Sequence, residues 1–263
     1  VEGYYYPDLL KSECLIKALS DIEEKYPNKK KILLGNTDYY VRHILVNRKE
    51  IEDISDHYII PMVSLEEFDR LVDKKSFYEL CDQYELDHPE TVVFDFKKDH
   101  IEKYEIPFDY PIFIKPADSV VYSKYEFEGK QKGYKIESSK ELKSVISKIK
   151  KSGFDGLFLI QEYIEGDDDS MFVFTCYTSK DHEVKAVTAG KILMHDRTPE
   201  LIGNYNAITN AYNKDLSLKL KKFLEAIKFT GICHFDVQYD KKKNRYVVYE
   251  MNIRQGRSNY YTL

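Results

Sequence analysis

The sequence predicts an α+β fold, a body of largely antiparallel sheets carrying a few helices, preceded by a small parallel α/β layer. Two patterns carry that expectation. Up to residue 63, helical and strand periodicities alternate, as they do where helices connect parallel strands. From Thr91 onward, runs rich in Val, Ile, Phe and Tyr follow one another with only two helical stretches among them. Length and composition agree: 263 residues with 43% hydrophobic and 32% charged side chains can bury a sizeable core in one large domain or two modest ones. The 23 Tyr and 14 Phe exclude disorder and low-complexity structure.

In chain order, residues 8–26 place Leu9, Leu15, Ile16, Leu19 and Ile22 on one helical stripe. Lys31 to Gly35 reads as a short buried strand. Thr37 and Asp38 can cap a second helix bearing Val41, Ile44 and Leu45, and His57 to Pro61 supplies another strand. So few strands do not complete a doubly wound sheet, and residues 1–63 are expected to form part of a Rossmann-like domain. The chain starts without Met and stops at Leu263, and on this reading its ends are trimmed.

Ser64-Leu-Glu-Glu67 fits a capping box, and Leu65, Phe68, Leu71 and Val72 give the helix after it an apolar face. A further helical stretch covers Lys75 to Tyr84. Strands are expected at 91–94, 112–115, 157–164, 171–178 and 184–194. A helix interrupts them after Ser138-Ser-Lys-Glu141, with Leu142, Val145, Ile146 and Ile149 at its spacing, and a last helix lies near Asp215 to Phe229. Between Ala117 and Tyr134, Asp118, Ser119, Ser123, Gly129 and Gly133 suggest a mobile loop.

Charge and motifs exclude several classes of function. The 40 basic residues against 45 acidic ones are not concentrated into a nucleic-acid-binding stripe. No run of 18 apolar residues and no leader is present, so membrane insertion is not expected. The four cysteines are widely separated, which fits neither a zinc site nor a disulfide framework and points to a reducing cytoplasm. No Ser-His-Asp set, H-E-x-x-H or G-x-S-x-G indicates a hydrolase.

The most informative segment runs from Gly231 to Asn252, two alternating runs joined by a lysine-rich turn, the pattern of a β-hairpin. Cys233, Phe235, Val237 and Tyr239 share one face with Val247, Tyr249 and Met251. His234, Asp236 and Gln238 share the other. A turn of three or five residues would place Glu250 on the face of Asp236, opposite it or one pair away, with Asn252 beside them. Two carboxylates about 5 Å apart on paired strands repel unless a cation lies between them. Asp, Glu and Asn offer the hard oxygen donors that suit Mg²⁺. The bland alternative is a hairpin with a solvated polar face. Against it stands Arg254-Gln-Gly-Arg257: two of only seven arginines follow the Glu-x-Asn triplet, as phosphoryl-transfer chemistry would require.

These residues resemble the ATP-grasp superfamily of carboxylate-amine ligases. Asp236, Glu250-Met-Asn252 and Arg254 look like its metal and acyl-phosphate motifs, preceded in the expected order by Asp73-Lys-Lys75, Phe113-Ile-Lys-Pro-Ala-Asp118 and Ile160-Gln-Glu-Tyr-Ile-Glu-Gly166. Glu250 to Tyr260 is most similar to the branch containing D-aspartate ligases of peptidoglycan assembly. The resemblance implies an α/β sandwich of the ATP-grasp type: a partial pre-ATP-grasp domain at 1–63, an N-terminal subdomain at 64–160 and a C-terminal subdomain with the metal site at 161–263. It implies ATP and Mg²⁺ as cofactors, and as partners an amino-acid carboxylate, D-aspartate among the candidates, and an amine acceptor such as a cell-wall precursor.

Residue by residue, the resemblance implies phosphate contacts from Lys75, with Lys74 as a rival, and from Lys115, with Ser119 in the loop after it. Gln161, Glu162, Tyr163 and Ile164 would line the adenine, Gln161 and Glu162 competing for its amino group. Asp168 would hold the ribose, with Asp167 and Asp169 open as alternatives. Lys191, Arg254, Gly256 and Arg257 would serve the transferring phosphoryl group, and Lys191 reads equally well as a surface lysine. His195, Arg197, Asn204 and Ser258 would meet the substrate. A ligase for another carboxylate and amine, or an ATP-binding module without turnover, remain the competing expectations.

Overall fold

The computed structural model describes residues 2–196 and 205–256, with only the backbone described at Ser119, Val120 and Asp168. Its first layer contains α1 (Ser12–Lys25), β1 (Lys31–Ile32), α2 (Asp38–Val46), α3 (Arg48–Ile54) and β2 (Tyr58–Ile59). The two strands pair in parallel, Lys31 opposite Tyr58 and Ile32 opposite Ile59. The Thr37 hydroxyl accepts the Tyr40 N–H and starts α2. Leu15, Leu19, Ile44, Ile51 and Tyr58 form a small separate core.

Next come α4 (Leu65–Val72) and α5 (Lys74–Gln83). The capping box of α4 is complete: Ser64 Oγ accepts the Glu67 N–H at 3.2 Å, and Glu67 accepts the Ser64 N–H at 3.3 Å. One residue on, Asp73 ends α4 and caps α5 by accepting the Ser76 N–H at 2.9 Å. This single-residue corner fixes the phase at which α5 begins.

The four-stranded sheet is built from β3 (Thr91–Asp95), β4 (Ile112–Pro116), β5 (Tyr134–Ile136) and β6 (Leu157–Glu162), in the order β3-β6-β4-β5. The short helix α6 (Ser119–Ser123) and α7 (Ser139–Lys151) belong to the same unit. Leu142, Ile146 and Ile149 of α7 pack on Ile112, Ile114, Phe158 and Ile160. Ser138 caps α7 as expected, but Glu141 closes the reciprocal bond onto the Glu137 N–H. The segment expected as a loop contains α6 and the start of β5. It is anchored where the Tyr122 and Tyr134 hydroxyls pair at 2.7 Å in the core.

The five-stranded antiparallel sheet contains β7 (Met171–Thr178), β8 (Val184–His195), β9 (Tyr205–Ala211), β10 (Gly231–Asp240) and β11 (Arg245–Asn252), in the order β11-β10-β7-β8-β9. Helix α8 (Lys214–Ala226) buries Leu216, Leu220, Phe223 and Leu224 against it. Phe68, Leu71, Phe77 and Leu80 of α4 and α5 join that same core. Helices expected to stay with the four-stranded unit therefore rest on the five-stranded sheet. The expected division at 160/161 falls inside β6. The fold is α+β, as the sequence predicts.

Candidate active site

The carboxylate hairpin has the expected pairing by an unexpected route. Its turn, Lys241 to Asn244, has four residues, with Asn244 at φ +50. A regular ladder from such a turn would set Tyr249 opposite Asp236. A β-bulge between Asp236 and Val237 intervenes: Val237 pairs with Val248, Asp236 with Glu250 and His234 with Asn252. The extra residue, Tyr249, shares the cleft face with Glu250 instead of joining the apolar face with Val247 and Met251.

Around this pair two other elements, α5 and β4, and the segment after β11 contribute charge. The N-terminus of α5 delivers Lys74, whose Nζ lies 2.6 Å from Glu250 Oε2. From β4, Lys115 sets its ammonium 5.8 Å from the centre of the Tyr249 ring. Asn252 Nδ2 donates to Asp236 at 3.0 Å and to Glu250 at 3.4 Å. Arg254 Nη2 donates to Asn252 Oδ1 at 3.3 Å, while its Nε faces Asp38 Oδ1 at 3.3 Å.

The electrostatics follow from that crowding. Lys74, outweighing the cost of withdrawal from water, holds Glu250 far below the ordinary carboxylate range. Asp236 has no such partner. Desolvation and the neighbouring Glu250 charge push its pKa up to about 8. Burial, reinforced by Lys74, lowers Lys115 to about 7. Lys74 itself is raised, burial being overcome by Glu250. Burial and Arg254 bring His234 down to about 4. The imidazole packs on Gly256, where an added Cβ would lie 2.7 Å from its Cε1.

Among the described residues no group of three His, Cys, Asp or Glu side chains converges on one point. The available donors are two carboxylates and one amide. They fit a hard divalent cation: a carboxyl raised to about 8 by burial and by the neighbouring Glu250 charge marks a place short of positive charge. A half-turn of the Asn252 amide would present its oxygen as a third donor.

The cluster lies at one end of a cavity of about 410 Å³ between the two sheets, whose other wall is the chain from Gln161 to Asp167. Gln161 is 1% exposed, and its amide donates to the Tyr78 hydroxyl at 3.1 Å and to Thr91 Oγ1 at 2.8 Å. Its Oε1 has no hydrogen-bond partner among the described residues. Tyr163, Ile164, His195 and Asp167 also line the cavity.

Three expected placements change. Lys75 lies out in solvent beside Glu79, its side chain 74% exposed, and Lys74 occupies the place in the cluster. The Glu162 side chain is held in ion pairs with Lys243 at 2.5 Å and with Arg245, and its carboxylate is not free for a base. Desolvation opposes its charge, but Lys243, the Glu90 N–H and Arg245 hold the carboxyl below its usual value. Lys191 does not line the cavity, and its ammonium lies 3.9 Å from Asp169. Asp169 also faces Lys241, at 3.4 Å. Arg197, Asn204, Arg257 and Ser258 lie outside the described residues, and at Ser119 and Asp168 only the backbone is described.

Sequence reasoning missed Gln238 and Tyr249 as cavity groups, and Tyr78 and Thr91 as the partners that hold Gln161. For Gln238 a signal existed, because it alternates onto the face of Asp236. For Tyr249 none did, because nothing in the sequence announces the bulge.

No family model matches the chain. It is 36% identical over 244 residues to a D-aspartate ligase of Enterococcus faecium, an alignment covering 91% of this chain and 57% of that protein. Among solved structures it is similar to an N5-carboxyaminoimidazole synthetase from Staphylococcus aureus, with a TM-score of 0.62, 15% identity, and 94% of this chain and 58% of that one covered. It is also similar to an L-amino acid ligase from Bacillus licheniformis, with a TM-score of 0.58, 14% identity, and 97% and 56% covered. The chain spans just over half the length of these relatives.

Proposed function

The chain has the ATP-grasp fold, and from that premise we propose that it binds ATP between its two sheets and joins an amino-acid carboxylate to an amine. D-aspartate is the carboxylate substrate that the D-aspartate ligase similarity supports, and in this reading a cell-wall precursor in the cytoplasm would supply the amine. Residues 1–63 serve as the pre-ATP-grasp unit, the four-stranded sheet with α6 and α7 covers the nucleotide, and the five-stranded sheet, with α4, α5 and α8 packed on it, bears the metal site. No helix among the described residues is long and apolar enough to cross a membrane.

The observation that carries this reading is the convergence of Asp236, Glu250 and Lys115 at the end of one cavity, with Lys74 paired to Glu250, from four separate elements. In the first step a carboxylate oxygen forms a bond to the γ-phosphorus of ATP while the bond to the β-bridging oxygen breaks, giving an acyl phosphate and ADP. In the second the amine nitrogen bonds to the acyl carbon, phosphate leaves, and the amine loses its proton to solvent. Asp236, Glu250 and Asn252 would hold Mg²⁺, which when bound neutralises charge on the transferring phosphoryl group. Lys74 and Lys115 hold the phosphates in line, and the Arg254 guanidinium, beside Asn252, supplies positive charge to the acyl phosphate. Asp38, on the Nε side, orients that guanidinium from behind. Tyr163 and Ile164 flank the base, the Gln161 Oε1 accepts from its amino group, and Asp167 or Asp168 meets the ribose.

The test is phosphate release by the protein with Mg-ATP, a panel of D- and L-amino acids and an amine acceptor. Release dependent on D-aspartate and the amine together is expected. Tight ATP binding with no release for any pair would refute ligation.

A further inference from the structure

Two residues beyond Asp236, on the same strand face, stands a polar side chain that the proposed reaction has no use for. Gln238 is 7% exposed, and every hydrogen-bonding group of its amide except one lone pair is engaged. Its Nε2 donates to the Ile164 carbonyl at 3.3 Å and to Ser170 Oγ at 3.2 Å. Its Oε1 accepts from the Tyr249 hydroxyl at 2.7 Å. Ser170 Oγ in turn donates to the Asp167 carbonyl at 2.7 Å.

These bonds connect parts that are remote in sequence. Ile164 and Asp167 belong to the segment joining the four-stranded sheet to the five-stranded one, and Ser170 closes the 3₁₀ turn before β7. Tyr249 is the bulge residue beside Glu250. The Ile164 carbonyl has a directional consequence. Because it can only accept, the amide cannot flip without losing that bond, so both Nε2 hydrogens face the 164–170 segment and Oε1 is left to accept from the Tyr249 hydroxyl. Backbone packing answers to the same arrangement: a Cβ on Gly166 would lie 2.2 Å from Ser170 Oγ and 2.5 Å from Gln238 Nε2, so the segment comes this close only as glycine.

Accordingly, we infer that Gln238, braced by the Tyr249 hydroxyl, is a positioning residue that pins the 164–170 segment to the strand bearing Asp236 and so sets the wall of the nucleotide cavity. The inference rests on the proposed nucleotide site for its functional half only; the pinning itself is a property of the free protein. A buried glutamine that merely satisfied its own polar atoms would stabilise the sheet without controlling ligand affinity. An aliphatic residue at 238 would fill the space but leave the Ile164 carbonyl and Ser170 Oγ to find other partners.

Two measurements on Gln238→Leu test this, with Gly166→Ala and Tyr249→Phe as companions. Hydrogen exchange of the ligand-free protein should quicken at amides 164–170, leaving α7 and α8 unchanged. Calorimetric titration with ADP and MgCl₂ should show affinity at least tenfold weaker, and KM for ATP should rise more than kcat falls. Tyr249→Phe should weaken ADP about three- to tenfold, but add nothing to Gln238→Leu, since both act through one amide. Unchanged exchange at 164–170 overturns the inference, as does faster exchange with unaltered ADP affinity. Should Gln238→Leu not fold, the same two criteria apply to Tyr249→Phe. Wild-type protein that binds ADP but releases no phosphate with any substrate pair would refute the ligase reading and leave the inference standing.

Discussion

Asp236 carries the cost of the proposed cation site most directly, and its protonation makes that cost measurable. Its pKa rises from the ordinary carboxylate value to about 8, so between about 4 and 8 the folded protein binds a proton that the unfolded chain has released. Stability is therefore lost as pH rises through that window. At pH 8 without divalent metal, Asp236→Asn is expected to raise the melting temperature, and MgCl₂ should raise it for wild type but not for the variant. A wild-type midpoint indifferent to both pH and MgCl₂ would contradict this. The neighbouring lysines separate as sharply. Lys75→Ala removes a solvated side chain and should change stability by no more than about 0.5 kcal/mol. Lys74→Ala strips Glu250 of its counter-charge and should weaken ADP binding at least tenfold. Asp236, Glu250 and Asn252 were legible because strand alternation places them together. The choice between Lys74 and Lys75 was not, because adjacent residues on a helix point about 100° apart and only the phase of the helix decides between them.

That phase is a property of elements. Asp73 ends one helix and caps the next, and the corner it makes is what turns Lys74 toward β11. Asp73→Ala is expected to cost about 1 kcal/mol, a fall in melting temperature of roughly 2–4 °C, whereas Asp73→Asn should recover most of it because an amide oxygen also accepts the Ser76 N–H. Equal losses in the two variants would show that the cap is not what the helix depends on. The hairpin shows the limit of reading elements from pattern. Alternation located both strands and the shared face, yet the four-residue turn alone would have mispaired Asp236, and the bulge restores the pairing. A bulge costs one residue and leaves no compositional mark, so Tyr249 was assigned to the wrong face. Strand β9 escaped notice for a related reason: Tyr-Asn-Ala-Ile-Thr-Asn-Ala is an edge strand with little apolar content to alternate. By contrast, the helices with complete caps and clear stripes, α4, α7 and α8, were found within a few residues of their ends.

At the scale of the whole molecule the site exists because two sheets face each other, and no local pattern specifies that. The apolar faces of α4 and α5 were visible, but not which sheet would cover them, since an amphipathic stripe is complementary to any apolar surface of similar shape. Their docking on the five-stranded sheet is what brings Lys74 to Glu250, while Lys115 arrives from the four-stranded sheet. Lys115 therefore reports on the charge balance across the cavity. Burial, with help from Lys74, lowers its pKa to about 7, so at pH 8 the free protein holds it mostly neutral. The unfolded chain would still bind that proton up to its ordinary pKa near 10, so stability should rise with pH between about 7 and 10 on account of this group. A bound polyphosphate reverses the balance by favouring the ammonium. ADP binding at pH 8 without metal should then take up as much as one proton, and binding at pH 6 should take up little, because Lys115 is already charged there. Titration calorimetry in two buffers of different ionisation enthalpy measures the uptake directly. In Lys115→Met the uptake at pH 8 should vanish along with much of the affinity. Equal uptake by that variant would locate the proton elsewhere and leave Lys115 with no part in holding phosphate.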